Sequence, residues 1–142
     1  SMKYYIVNTN RKANPEGQDE AQMLKEEIVS LYFDGHKEHI NKLSAGDVVF
    51  LYSNEFGVVA CGEVSGKTLK RNYKGLVQFK NEEHYQKFKS FYKPKQPITV
   101  KEMKALFGKR PLVMKSMNPL TEVQGLILFD FIAHPKVALK AA

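Results

Sequence analysis

Apolar residues recur along this chain at two spacings, and each spacing predicts a different element. Lys3-Tyr4-Tyr5-Ile6-Val7-Asn8 is dense in aromatic and β-branched residues and gives way to polar Asn8-Thr9-Asn10, the pattern of a first strand. Thr9 to Gln18 contains Asn14-Pro15 and Gly17 and reads as a loop. From Asp19 the period changes. Ala21, Leu24, Ile28, Leu31 and Tyr32 recur at three- and four-residue intervals, and Asp19 and Glu20 stand where a helix dipole favours negative charge. This predicts an amphipathic helix ending near Asp34-Gly35. His36 to Leu43 reads as a second, short helical stretch, followed by a tight turn at Ser44-Ala45-Gly46-Asp47.

Asp47 to Ser53 and Phe56 to Val64 are rich in Val, Phe and Leu and flank Asn54-Glu55, which predicts a hairpin of two largely buried strands. Lys74 to Phe79 is expected to form a further strand, and Asn81-Glu82-Glu83 to open a helix running to about Tyr92. Pro94 and Pro97 break the chain. Thr99-Val100-Lys101-Glu102 has capping-box spacing, with Gly108 as the stop. Leu112 to Met114 reads as a strand. Asn118-Pro119 offers a cap and a first-turn proline for a last helix marked by Leu120, Val123, Ile127 and Phe131. Strands joined by short turns and flanked by three or four helices make the expected fold class α+β.

The 142 residues suffice for one domain with a real core and are short for two. Ser1 before Met2 reads as the remnant of a removed purification tag, so the expected domain is 2–142. No apolar run nears the roughly 20 residues a membrane helix needs, and no signal-like stretch opens the chain, so no membrane partner and a cytoplasmic location are expected. The one cysteine, Cys61, lies in the apolar run Gly57-Val58-Val59-Ala60-Cys61 and is expected to be a buried thiol.

Net charge is +7, and its distribution carries more than its total. Lys67 to Lys115 holds 14 Lys and Arg against 3 acids, whereas Ser1 to Gly66 holds 6 against 10. A regional positive field attracts polyanions, which suits nucleic acid and is compatible with an anionic membrane surface. Arg71, Tyr73, Arg110 and several aromatics interrupt the lysines, which favours nucleic acid over a solvating lysine face. Lys67, Lys70, Arg71 and Lys74, beside a turn after the hairpin, and Lys109 and Arg110 next to Pro111 are the candidate phosphate contacts, with Lys115. Hydrolytic chemistry finds poor material. The four histidines, His36, His39, His84 and His134, lie mostly in polar surroundings, and His36 and His39, three apart, have neither a neighbouring Cys nor an acidic ligand pattern to complete a metal site. Gly57, Gly62 and Gly66 match no phosphate-cradling motif and read as turns or bulges. No cofactor is implied.

Tyr32-Phe33-Asp34-Gly35 is followed about a dozen residues later by Gly46-Asp47-Val48-Val49-Phe50-Leu51-Tyr52-Ser53-Asn54. This order resembles EVE domains of the PUA-like superfamily, relatives of YTH domains. Tyr5-Ile6-Val7-Asn8, Val59-Ala60-Cys61-Gly62-Glu63-Val64 and Lys115-Ser116-Met117-Asn118-Pro119-Leu120-Thr121, which is similar to the family's Ser-x-x-Pro-x-Thr segment, extend the resemblance over most of the chain. The resemblance implies a small mixed β-barrel flanked by helices, with a pocket for a flipped or unpaired base, often a methylated one, in DNA or RNA. Some relatives stand at the front of modification-dependent restriction systems. A chain of this kind would be the N-terminal specificity domain of a longer protein carrying an AAA+ or nuclease module. The unfinished apolar-basic pattern Ala138-Leu139-Lys140-Ala141-Ala142 fits such a fragment.

The expected base pocket comprises Phe33, Tyr32, Tyr52 and Tyr73 for stacking, and Asn8, Ser53, Ser116 and Asn118 for polar contacts to a base edge. Asn118 is also the expected helix cap. The chain has no tryptophan, although EVE and YTH pockets commonly use one, including where Phe33 stands. Either phenylalanine and tyrosines build the wall, or base binding is altered or lost. Two other functions stay open: an ASCH-type hydrolase of modified nucleosides, which would enlist Glu63 and Lys115, and a protein-interaction domain with an incidental basic face.

Overall fold

The first strand falls where its aromatic and β-branched residues place it, and the elements around it sort into three layers. The computed structural model describes residues 1–13 and 15–135; Asn14 of the first loop and the apolar-basic pattern beyond Pro135 lie outside them. β1 (Tyr4–Asn8) is central in a four-stranded sheet, parallel to β3 (Val48–Ser53) and antiparallel to β7 (Met117–Leu120); β4 (Gly57–Glu63) completes it in the order β4-β3-β1-β7. A second sheet has the order β2-β6-β5, from β2 (Ile28–Tyr32), β6 (Glu83–Lys87) and β5 (Leu69–Arg71). The two sheets join along one seam. There Val64 bridges Phe88, and the Lys89 amide donates to the Glu63 carbonyl at 2.7 Å.

One core lies between the sheets and includes Val7, Met23, Val29, Leu31, Ile40, Val49, Leu51 and Ala60. A second lies between the four-stranded sheet and the helices α2 (Val100–Phe107) and α3 (Glu122–Ala133), and includes Ile6, Phe50, Val58, Met103, Leu128 and Ile132. The four-stranded sheet is therefore covered on both faces, which is why its central strands read as continuous apolar runs. Cys61 is fully buried there, and burial pushes its thiol up to about 12.

Four elements differ from the sequence expectation, each for a physical reason. The helix predicted from Asp19 to Asp34 is α1 (Gln18–Glu26), closed by Glu27 at φ 55°; the rest is β2, all five residues of which are buried. A helix could bury only one stripe of that segment. The strand predicted at Lys74 to Phe79 is a pair of 3-10 turns, Tyr73–Gly75 and Val77–Phe79, with Lys74 at φ 54°. The helix predicted from Asn81 is β6, whose polar residues are buried and bonded. Ser30 Oγ donates to Glu83 at 2.7 Å, and Gln86 Nε2 donates to the carbonyls of Ile40 and Leu43. The strand predicted at Leu112 to Met114 does not form; the strand is β7, on residues expected to cap and open the last helix, where Pro119 is tolerated because the strand lies at the sheet edge. Both C-terminal helices open with capping boxes: Thr99 with Glu102 as predicted, and Thr121 with Gln124 in place of Asn118.

His84 on β6 is 5% exposed and donates Nδ1–H to Asn41 Oδ1 at 2.9 Å. Burial, then the nearby Lys70 and Lys37, hold its pKa below the ordinary histidine value. The fold thus binds this proton less readily than the unfolded chain. Its contribution to stability is full above the unfolded pKa of about 6.5 and is lost as pH falls through the folded value. Chemical denaturation across pH 7.5 to 5 is expected to show stability falling on the acid side, and His84→Gln to flatten that limb; an equal slope in both proteins would refute the assignment.

Candidate functional site

Where β2 ends, the chain turns sharply and leaves a phenylalanine at the surface. Phe33 has φ 66°, a left-handed conformation that costs a residue with a side chain about 1–2 kcal/mol. The turn is held from several sides. The Phe33 amide donates to the Glu82 carbonyl at 2.8 Å, and the Phe33 carbonyl accepts from His36 and Lys37. Lys37 in turn bridges Asp34 and Glu82, the latter at 3.0 Å. Phe33 is 36% exposed although its ring packs edge-to-face against Tyr73 at 5.1 Å and Phe79 at 5.4 Å. Tyr32 meets Tyr73 at 4.7 Å behind them.

These rings line one side of a cleft of about 780 Å³, within the range of ligand pockets. Its other side comes from the ends of the four-stranded sheet: Asn8, Asn10, Asn54, and Ser116 just before β7. The position of Ser116 is fixed by its carbonyl, which accepts from the Asn8 amide at 2.9 Å, and by a hydrogen bond between its hydroxyl and His36 Nδ1. The Asn8 side-chain oxygen accepts from the Asn10 amide, and among the described residues its NH₂ group donates to none. Beneath the aromatic wall Asp19, 4% exposed, accepts from the Tyr73 hydroxyl at 2.8 Å and from Asn10 Nδ2 at 2.7 Å. Burial and this carboxylate raise the Tyr73 pKa, so the phenol stays protonated and its ring is pinned from below. The cleft thus combines flat apolar walls with donors and acceptors at the rim.

Of the residues expected at a base pocket, the structure brings Asn8, Tyr32, Phe33, Tyr73 and Ser116 together and leaves three elsewhere. Tyr52 lies in the core facing the helices, because alternation along β3 sends Phe50 and Tyr52 to that side and Val49 and Leu51 to the other. Ser53 is buried at the end of the same strand. Asn118 is a clamp: its side chain accepts from the Lys115 amide and donates to the carbonyls of Lys115 and Ile6. Sequence reasoning missed Asn10, Lys12, Asn54, Phe79 and Met114, and weighed His36 only as a metal ligand. Among the described residues no three His, Cys, Asp or Glu side chains group to hold a metal.

Of the expected phosphate contacts, Lys74 lines the cleft, with Nζ 5.2 Å from the Tyr73 ring centre. Lys67, Lys70, Lys109, Arg110 and Lys115 are exposed. Arg71 is committed elsewhere. Its guanidinium binds Glu26 at 2.9 Å and Glu83 at 2.9 Å and lies over the Tyr85 ring at 4.5 Å. The bond holds Glu26 below its usual carboxylate range. Arg71→Ala would strand the buried Glu83 carboxylate, so it is expected to cost about 1–3 kcal/mol of stability while leaving the salt dependence of any polyanion binding unchanged. Urea melts and a salt titration check this; a lowered salt slope with unchanged stability would return Arg71 to the phosphate contacts. Glu63 and Lys115 lie toward opposite ends of the four-stranded sheet. Glu63 pairs with Val48, which lies beside Tyr4, whereas Ser116, next to Lys115, bonds Asn8.

No family model and no curated protein matches this chain. Solved structures do. The protein PSPTO5229 from Pseudomonas syringae is 12% identical with a TM-score of 0.57, over 90% of this chain and 98% of that one. A hypothetical protein from Leishmania major is 14% identical with a TM-score of 0.57, over 92% and 94%. A variant of ZmASCH from Zymomonas mobilis is 10% identical with a TM-score of 0.57, over 92% and 99%. The chain shares the α+β fold of these structures. On this frame the cleft lies where the ends of the two sheets face each other, and its walls come from segments far apart in sequence. At such identities the likeness carries the architecture, and function has to be argued from the site. No helix among the described residues is long and apolar enough to cross a membrane.

Proposed function

We propose that this chain binds nucleic acid and takes an unpaired or extruded base, in its sharper form a methylated one, into the cleft walled by Phe33, Tyr32, Tyr73 and Phe79. The observation that carries the reading is Phe33: a large aromatic ring held partly in solvent, in a left-handed conformation, at the mouth of an aromatic cleft with an amide rim. Strain of this kind persists where surrounding structure fixes it for use. The EVE resemblance, which places Phe33 and Ser116 in its motifs, supports the same reading. Stacking contributes about 1–3 kcal/mol per base, and extruding a base costs a few kcal/mol, so phosphate contacts must supply the difference. Lys74 at the cleft and the exposed Lys67, Lys70, Lys109, Arg110 and Lys115 are suited to that. A reader of this kind needs an effector, and an AAA+ motor or nuclease module is the class that acts on such recognition.

A methyl group buried in a fitted pocket adds about 0.8 kcal/mol, roughly fourfold in affinity. Fluorescence anisotropy at about 150 mM salt, with matched DNA and RNA strands unmodified or carrying methyladenine or methylcytosine, is expected to show one modified strand preferred by at least that factor. Equal affinity for all strands would remove the modified-base form of the reading.

A further inference from the structure

The cleft does not end at its histidine wall. A second pocket of about 490 Å³ shares His36, Met114 and Ser116 with it and continues past His39, Lys42 and Lys115. Among the described residues no acidic side chain lines this second pocket. The acids nearest the 3-10 turn at Lys37–Lys42 are already engaged: Asp34 and Glu82 by Lys37, and Glu38 by Lys37 and the Gly35 amide. Lys42 and Lys115 pair with no acid among the described residues. The other extension of the cleft, past Lys74 toward Gln18 and Gln22, is built differently. There the buried Glu83 carboxylate contributes negative charge and Arg71 is joined to it at 2.9 Å.

We infer that the pocket between His39, Lys42 and Lys115 is a phosphodiester subsite that holds the backbone next to the base seated in the cleft. The inference rests on the base-binding reading and deepens it. The ligand is then a nucleotide chain of at least two units and not a free nucleoside, and the strand passes over the His36–Ser116 contact from one pocket into the other. Histidine and lysine donors in a recess without carboxylates match a phosphodiester, which offers only acceptors and one negative charge.

The test compares two probes on the whole chain: a short fluorescent single strand carrying the base found to bind best, and the same base as a free nucleoside in competition. The double variant His39→Ala/Lys42→Ala is expected to bind the strand about tenfold more weakly at 150 mM salt. Its slope of log affinity against log salt should fall by about 0.7, the value for one lost phosphate contact on a single strand. Its affinity for the nucleoside should not change. Lys42→Glu, a single surface change, is expected to lose strand affinity likewise, which guards against misfolding of the double variant. If both variants bind the strand as the wild type does while Phe33→Ala loses it, the subsite is overturned and the base reading stands. If the wild type binds neither probe, the base reading fails and takes this inference with it.

Discussion

Phe33→Ala is expected to weaken binding of the preferred oligonucleotide roughly 5- to 150-fold, the equivalent of the 1–3 kcal/mol that one stacked base contributes. The loss should fall on the base and not on the backbone. The salt slope stays that of the wild type, because no phosphate contact is removed, and any preference for a modified base disappears with the stacking surface. Folding is affected modestly, since Phe33 is 36% exposed and its ring gives up edge-to-face contacts with Tyr73 and Phe79. Phe33→Leu sharpens the result: it keeps apolar volume but loses the flat face, so it is expected to fall near Phe33→Ala. Leucine binding as well as phenylalanine would mean that the cleft recognises bulk apolar matter and not a planar base.

Gly62→Ala is expected to cost about 3 kcal/mol of stability, the upper part of the usual range for overpacking. A Cβ on Gly62 would stand 1.8 Å from the Ser90 carbonyl oxygen and 2.8 Å from its carbon, and backbone cannot rotate aside as a side-chain tip can. The contact lies on the seam. On either side of Gly62, Cys61 exchanges backbone hydrogen bonds with Tyr92, and Glu63 accepts from Lys89. Moving residues 88–92 away would loosen the join between the sheets whose ends frame the cleft, so ligand affinity should fall together with stability. Urea denaturation decides the matter; an unchanged midpoint would contradict the close approach at Ser90.

The parts of this fold that were legible in the sequence are those decided locally or by double burial. Thr99 and Glu102 cap α2 through bonds three residues apart, and β3 and β4 announce themselves because both faces of their sheet are covered. β2 was hidden because Ile28, Leu31 and Tyr32 suit either a helical stripe or a buried strand, and burial of all five residues decides for the strand only in three dimensions. β6 was hidden because Glu83, His84 and Gln86 look solvated. Their partners Ser30, Asn41 and Ile40 are more than forty residues away. The site divides along the same line. Phe33, Asn8 and Ser116 stand in segments with a recognisable order, whereas the assignment of Tyr52 required the facing of β3, and Phe79 required the turn after β5.

The proposed function places a base, and not only a charged backbone, in the aromatic cleft. It is tested most directly by anisotropy at about 150 mM salt with two strands identical except at one position, one carrying the preferred base and the other an abasic sugar. The abasic strand is expected to bind at least about fivefold more weakly with the same salt slope, and Phe33→Ala to remove the difference. Equal binding of the two strands by the wild type would contradict it and leave the lysine-rich surface as the whole of the interaction.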